Sequence, residues 1–434
     1  MKLLFLTTYN IPINREHFFT INVWNALCKQ LEQGIDEIAL ATIVVDSQYT
    51  ESFVKKEISN GRAYYKLHYS SLLSEEEQVN EIVRFYKYIA PDVIHSNMIE
   101  MFDVVAAKKC NIPIVLTIHI GGFICPRAGG NGFLKYDDSI CHNKVGKHCF
   151  RCCAQDFPLS FLARCLYSCT SARFREWAYH KLRNKQIFYL TQFLIKSHEI
   201  IQRQKAIEIY KYATIIAANQ RLKGILLLNG LTNNVVLLPH GVKPRPRLPF
   251  PEVKDIVKFY YCGRIQYAKG LHNLLKAFEG IDNSLYELHI IGDAESSGPS
   301  RRYDQRIRKM AIGKNVIFHG RLPNESIESV IKDMHVMIHP TICMEVYGIS
   351  IAESLSIGRP VLATRCGGAE IQIQDGMNGW LVSSDNVAAL HDKIVDVIQR
   401  KEHLTAMSKN CKLPHPIMEY SMKLVDVYHN LCKR

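Results

Sequence analysis

No apolar stretch in this 434-residue chain reaches the 18 or more residues of a membrane-spanning helix, so a helical span is not expected. No low-complexity tract and no internal repeat stands out, which leaves disordered and solenoid architectures without support. The first apolar stretch, residues 1–9, is too short for a signal peptide and lacks a small-residue cleavage site. It reads as a buried strand, and a cytoplasmic protein is expected. Acidic residues are in deficit, 41 against 54 Lys and Arg, for a net charge of +13, yet no nucleic-acid motif accompanies the surplus. Cysteine is not scarce. Fourteen are present, many placed singly (Cys28, Cys110, Cys262, Cys343, Cys366, Cys411, Cys432), as suits a reducing compartment and cysteine used as a small hydrophobe.

What is there is a regular alternation of strand and helix patterns. The length implies two or three domains, and 47% apolar content is ample for a core in each. Residues 3–8, 37–45, 92–97, 113–119, 213–217 and 235–239 read as strands of a parallel sheet with helical segments between most of them. A second series covers residues 256–262, 285–291, 316–319, 336–339 and 360–364. Between the series, Lys243-Pro-Arg-Pro-Arg-Leu-Pro-Phe-Pro251 carries four prolines in eight residues, which no helix tolerates. The expected class is α/β, with two doubly wound domains and a ligand beyond the carboxyl ends of the strands.

The most informative segment runs from Pro340 to Leu355 and holds Glu345 and Glu353 eight positions apart. Gly348 stands where a loop turns into an apolar run ended by Gly358-Arg359-Pro360, which predicts a short helix. The free N–H groups at its start, those of Tyr347, Gly348 and Ile349, would suit a phosphate. Glu353 would lie inside the helix among Ile351, Ala352 and Leu355. There it needs solvent, a hydroxyl or a cation.

Around this pair stand Gly358-Arg-Pro-Val361, Gly367-Gly-Ala-Glu370 and Asp375-Gly-Met-Asn-Gly379-Trp-Leu-Val, the last read as a hairpin. Upstream lie Gly263-Arg264 with Lys269-Gly270, then His289-Ile-Ile-Gly292-Asp293 and Val316-Ile-Phe-His319-Gly320. In this order the motifs resemble the donor half of retaining glycosyltransferases of family 4. The resemblance is specific over about 130 residues and weaker in the N-terminal half. It implies the GT-B fold, two Rossmann-like domains facing across a cleft: an acceptor-side domain over residues 1–242, a linker over 243–252 and a donor-binding domain over 253–412. Residues 413–434 would form a final helix crossing back to the first domain.

The resemblance implies a nucleotide-sugar donor, with Gly263, Arg264, Lys269, Glu345, Tyr347, Gly348, Ile349 and Glu353 as its binding residues. The diphosphate leaving group needs its growing charge neutralised. The Asp-x-Asp pair of many metal-dependent transferases is missing, Asp293-Ala-Glu295 being the nearest approach; the family motif implies Arg264 and Lys269 for that charge, and no catalytic metal is expected. Glu353 would hold the ribose hydroxyls, and Glu345 would lie against the sugar. His119, ending a strand, resembles a family histidine that faces the donor sugar. Front-face transfer with retention follows, the leaving phosphate taking the acceptor proton. The first loop, residues 8–15, lacks the glycine pair of many relatives, which puts its diphosphate contact in doubt, and His240 replaces their usual asparagine. The acceptor is expected to be lipid-linked or a polysaccharide, in capsule, exopolysaccharide or O-antigen synthesis; the alternative is a catalytically silent nucleotide-sugar-binding subunit of another transferase.

Two features lie outside the donor motifs. Residues 121–156 are loop-like, with Cys125, Cys141, Cys149 and Cys152 spaced C-x15-C-x7-C-x2-C, resembling an insertion in a subset of bacterial members. Structural zinc is the expected ligand; reduced structural cysteines, a redox disulfide and an iron–sulfur cluster are the other readings. Residues 160–247 carry fifteen Lys and Arg against only Glu176, Glu199 and Glu208. Within residues 157–193, Phe, Leu, Tyr and Trp177 interleave with Arg164, Arg173, Arg175, Lys181, Arg183 and Lys185. That mixture reads as a surface attracted to an anionic membrane, hence a peripheral protein on the inner face of the cytoplasmic membrane.

Overall fold

The computed structural model describes residues 1–7, 35–59, 62–97, 100–119, 123–127, 132–154, 160–182, 188–232, 234–384 and 386–433. The loop over residues 8–15, the Gly121-Gly122 pair, Cys28, Phe157, Arg183 and Lys185 lie outside them. The chain divides into two compact units. The first comprises Met1–Ala128, Asn143–Lys243 and Pro416–Arg434, the second Gly129–His142 and Pro244–His415.

In the first unit eight strands form one sheet: β1 (Lys2–Leu6), β2 (Glu37–Asp46), β3 (Phe53–Ser59), β4 (Arg62–Ser70), β5 (Val93–Ser96), β6 (Ile114–Thr117), β7 (Thr214–Ala217) and β8 (Val235–Leu237). Their order is β3-β4-β2-β1-β5-β6-β7-β8, parallel except for the antiparallel β3–β4 pair. Every residue of β5, β6 and β7 is buried, as expected of strands covered on both faces. Sequence patterning missed β3 and β4. Lys55, Lys56 and Glu57 interrupt the apolar run in β3, because it is an edge strand and charge there blocks further pairing. The last helix, Ile417–Cys432, packs Ile417, Leu424 and Tyr428 against Leu3, Phe5 and Val115. The Tyr428 hydroxyl lies 2.5 Å from His95 Nδ1, whose Nε2 lies 2.7 Å from Thr117 Oγ1.

The second unit holds β9 (Val257–Cys262), β10 (Tyr286–Ile291), β11 (Val316–Gly320), β12 (Val336–His339), β13 (Val361–Thr364) and β14 (Gly379–Val382) in the order β11-β10-β9-β12-β13-β14, all parallel. The chain winds outward from β9 to β11, then restarts on the other side of β9 at β12. The carboxyl ends of β9 and β12 therefore flank the switch point where open sheets bind ligands. The expected hairpin over residues 375–382 is corrected. Gly379–Val382 is an edge strand pairing parallel with β13, and residues 374–378 form only the turn into it.

Candidate functional site

The residues that follow β9 and β12 meet at that switch point. After β9 come Gly263 and the exposed Arg264, then a short turn, Tyr267–Lys269, closed by Gly270. Gly270 has φ +72°, and a Cβ there would stand 1.9 Å from the Pro340 carbonyl oxygen; only glycine lets the two loops approach so closely. Lys269 Nζ donates to Glu345 Oε2, and His339 Nε2, at the end of β12, stands 3.6 Å from the same oxygen. Thr341 Oγ1 lies 2.9 Å from His339 Nε2. The Glu345 main chain is pinned as well, its N–H donating to Cys366 at 2.8 Å and its carbonyl accepting from Gly368 at 2.9 Å.

Burial by itself would raise the Glu345 pKa, but the Lys269 charge and the His339 contact hold the carboxyl far below its usual range. Burial likewise opposes the charge on Lys269, and Glu345 outweighs it, leaving the ammonium pKa above its usual value. His339 is pushed down by its burial. The outcome is an ion pair beside a neutral imidazole. Arg264 makes no ion pair among the described residues, so its guanidinium is available to an anion.

Gly348 starts the helix Ile349–Ser356 with φ +80° and no side-chain cap. Gln372 holds this corner, donating to the carbonyls of Tyr347, Gly348 and Gly368. Glu353, in the second turn, is one-third exposed, and its Oε1 accepts from Arg245 Nη2 at 2.8 Å; Arg245 Nη1 is 3.5 Å from Glu328. The cationic partner that a helix-interior carboxylate needs is thus supplied from the proline-rich segment.

The structure brings Lys269, Glu345 and the start of the Ile349–Ser356 helix onto one end of the second sheet, with Gly263 and Arg264 leading in. His119 belongs to the first unit, where its Nε2 lies 2.7 Å from Asn97 Oδ1 and its ring 5.2 Å from that of His240; burial lowers its pKa to about 4. Sequence reasoning missed His339, Arg245 and Gln372. His339 carried the same strand-end signal as His119. Arg245 and Gln372 carried none, since their partners lie 108 and 25 positions away.

Of the four spaced cysteines, Cys141 folds with the second unit and Cys125, Cys149 and Cys152 with the first. Among the described residues Cys125, Cys149 and Cys152 do not all come within 4.8 Å of one another, and structural zinc on the four cysteines stands as a proposal. Residues 132–141 of the insertion contribute differently. Leu134 packs on Ala268, Ile342 and Cys343, and Asp138 Oδ2 accepts from the Tyr267 hydroxyl at 2.5 Å, beside Lys269.

Residues 246–413 match the family model of glycosyl transferases group 1. Over 182 residues the chain is 27% identical to the D-inositol 3-phosphate glycosyltransferase of Corynebacterium urealyticum, covering 39% of this chain and 42% of that protein. Against O-antigen chain mannosyltransferase C of Escherichia coli the figures are 26% over 175 residues, 40% and 45%. The chain thus spans less than half the length of these two curated relatives. Its structure is similar to that of Anabaena HepE in complex with UDP and glucose, with a TM-score of 0.62 at 13% identity over 99% of each chain. The fold is therefore GT-B, built from two Rossmann-like parallel sheets.

Proposed function

We propose that this protein is a retaining glycosyltransferase, moving a sugar from a nucleotide-sugar donor to a lipid-linked or polysaccharide acceptor in cell-surface glycan synthesis. One observation carries the reading: a half-buried Lys269–Glu345 ion pair, an Arg264 with no ion pair among the described residues and an uncapped helix N-terminus converge at the switch point of the second sheet. Arg264, Lys269 and the peptide N–H groups at the start of the helix neutralise the leaving diphosphate, which replaces a metal in that role. Glu353 takes the ribose hydroxyls, sharing or exchanging Arg245. Glu345, held ionised, lies against the sugar and stabilises its developing positive charge. His119 faces the sugar as a neutral donor, and the leaving phosphate accepts the acceptor proton on the same face, so configuration is retained.

The named relatives support the acceptor class, one being an O-antigen mannosyltransferase, and HepE was solved with UDP and glucose. A thermal-shift screen of UDP-, GDP- and ADP-sugars identifies the donor; its hydrolysis, followed by NMR of the anomeric proton, reports both activity and stereochemistry. The expected product is the retained anomer, formed with EDTA present. Inversion, restoration of lost activity by magnesium, or full turnover in the Arg264→Ala, Lys269→Ala double variant overturns the reading.

The anionic membrane surface belongs to the same proposal. No helix among the described residues is long and apolar enough to cross a membrane. Phe161, Leu162, Phe174 and Trp177 are each more than half exposed on two adjacent helices, Ser160–Cys169 and Ala172–Leu182, with Lys181 over the Trp177 ring. Apolar side chains interleaved with cations match the acyl and headgroup layers of an anionic leaflet.

A further inference from the structure

Two helices of the first unit, Ala172–Leu182 and Phe188–Tyr210, bring together a carboxylate and two imidazoles remote in sequence from every donor motif. Glu176 and His180 stand at i and i+4 on the first helix, so their side chains share a face. His198 reaches them from the second. One ligand atom from each lies within 4.8 Å of the other two. Zinc–nitrogen bonds of about 2.0 Å place tetrahedral donors about 3.3 Å apart, a gap that side-chain rotation closes without moving the backbone. The Tyr179 ring stacks on His198 at 3.8 Å and 8°, which holds the imidazole plane.

Two neighbours bear on what this cluster accepts. Lys205 Nζ lies 2.5 Å from Glu176 Oε1 and supplies the carboxylate with its present counter-charge; being half exposed, it can swing into solvent when another cation arrives. Gln202 sits one turn beyond His198 on the same helix face. Its Oε1 is buried with no hydrogen-bond partner among the described residues, an acceptor that a metal-bound water would satisfy.

The geometry points to a divalent transition-metal site formed by Glu176, His180 and His198, with zinc the ion that fits and a fourth position left to water. Imidazole and carboxylate donors favour zinc over magnesium or calcium, and three protein ligands is the count of open zinc sites. The ion cross-links the helix bearing Phe174 and Trp177 to its neighbour, steadying that exposed surface. No cysteine takes part.

The test uses the full chain, stripped with chelator and titrated with zinc and, separately, with cobalt. Wild type is expected to bind one equivalent that His180→Ala and Glu176→Gln each weaken at least about tenfold, while their metal-free unfolding temperatures match wild type. Lys205→Met removes the competing cation and is expected to tighten the same equivalent. Bound cobalt shows visible d–d bands with no thiolate charge-transfer band from this site. The proposal falls if His180→Ala binds as many equivalents as tightly as wild type, if Lys205→Met weakens binding, or if all bound cobalt carries thiolate charge transfer.

Discussion

The Lys269–Glu345 pair decides most of what the site can do at the scale of single residues. Each side chain is only about one-fifth exposed, so removing one partner strands a charge in a poorly solvated place. Lys269→Met is expected to lower unfolding free energy by about 3 kcal/mol in urea titration, and adding Glu345→Gln should recover most of it. Additive losses would mean that the two side chains do not interact. The pH behaviour follows from the directions of the shifts. A depressed carboxyl contributes stability above its unfolded pKa and loses it only as pH falls through the folded value. A raised ammonium contributes below its unfolded pKa and loses it as pH climbs past the folded one. The stability difference between wild type and the double variant should therefore be flat from about pH 7 to 9, above the range in which the neighbouring His339 titrates and its own shift changes with the pair. A slope inside that window would show that one member is not held ionised. Arg175 corrects another reading. Expected on the membrane-facing surface, it is buried over the Tyr167 ring at 3.9 Å and donates to the carbonyls of Tyr167 and Thr170 at the end of the Ser160–Cys169 helix, so its charge is spent on structure.

Among the elements, the corner that starts the Ile349–Ser356 helix is the most tightly constrained. A Cβ on Gly368 would stand 2.2 Å from the Tyr347 carbonyl oxygen, and that backbone has no slack because Gln372 binds the same oxygen. Gly368→Ala is expected to displace the helix start and weaken donor binding at least tenfold (about 1.4 kcal/mol or more by calorimetry) while the rest of the sheet stays folded by circular dichroism. Unchanged donor affinity would remove this corner from the binding site. The edge strands β3 and β14 show why patterning loses precision at sheet margins. Their partners on one side are absent, so neither continuous burial nor strict alternation is imposed on the sequence.

For the whole molecule, the asymmetry of charge and exposed apolar surface predicts where the protein works. Liposome affinity should rise with anionic lipid content and fall with salt, because each basic residue near the surface contributes about 1 kcal/mol at most and is screened beyond about 10 Å. Phe174→Ala with Trp177→Ala should reduce partitioning by removing apolar contact, and Arg164→Glu, Arg173→Glu and Lys181→Glu should release the protein, in both cases with donor hydrolysis unchanged. Arg175 is left out of that set because its loss would unfold its helix pair. Equal binding of neutral and anionic vesicles would sink the membrane proposal, whereas loss of donor turnover with release would assign these residues to the active site.

The sequence by itself determined most of the two series of parallel strands, the proline-rich break between them and the order of the motifs in the second series. Each is written in local patterns: apolar runs of strand length, glycine at forced turns, four prolines where no helix can form. Tertiary structure alone decided which side chains meet. Lys269 and Glu345 lie 76 positions apart and Arg245 and Glu353 108, and no periodicity encodes such pairings. They come from parallel winding on both sides of β9, which delivers distant strand ends to one edge of a sheet. The same limit governs the Glu176, His180 and His198 cluster, which spacing did not suggest: ligands are gathered by packing between elements, and a one-dimensional count sees only those that share an element.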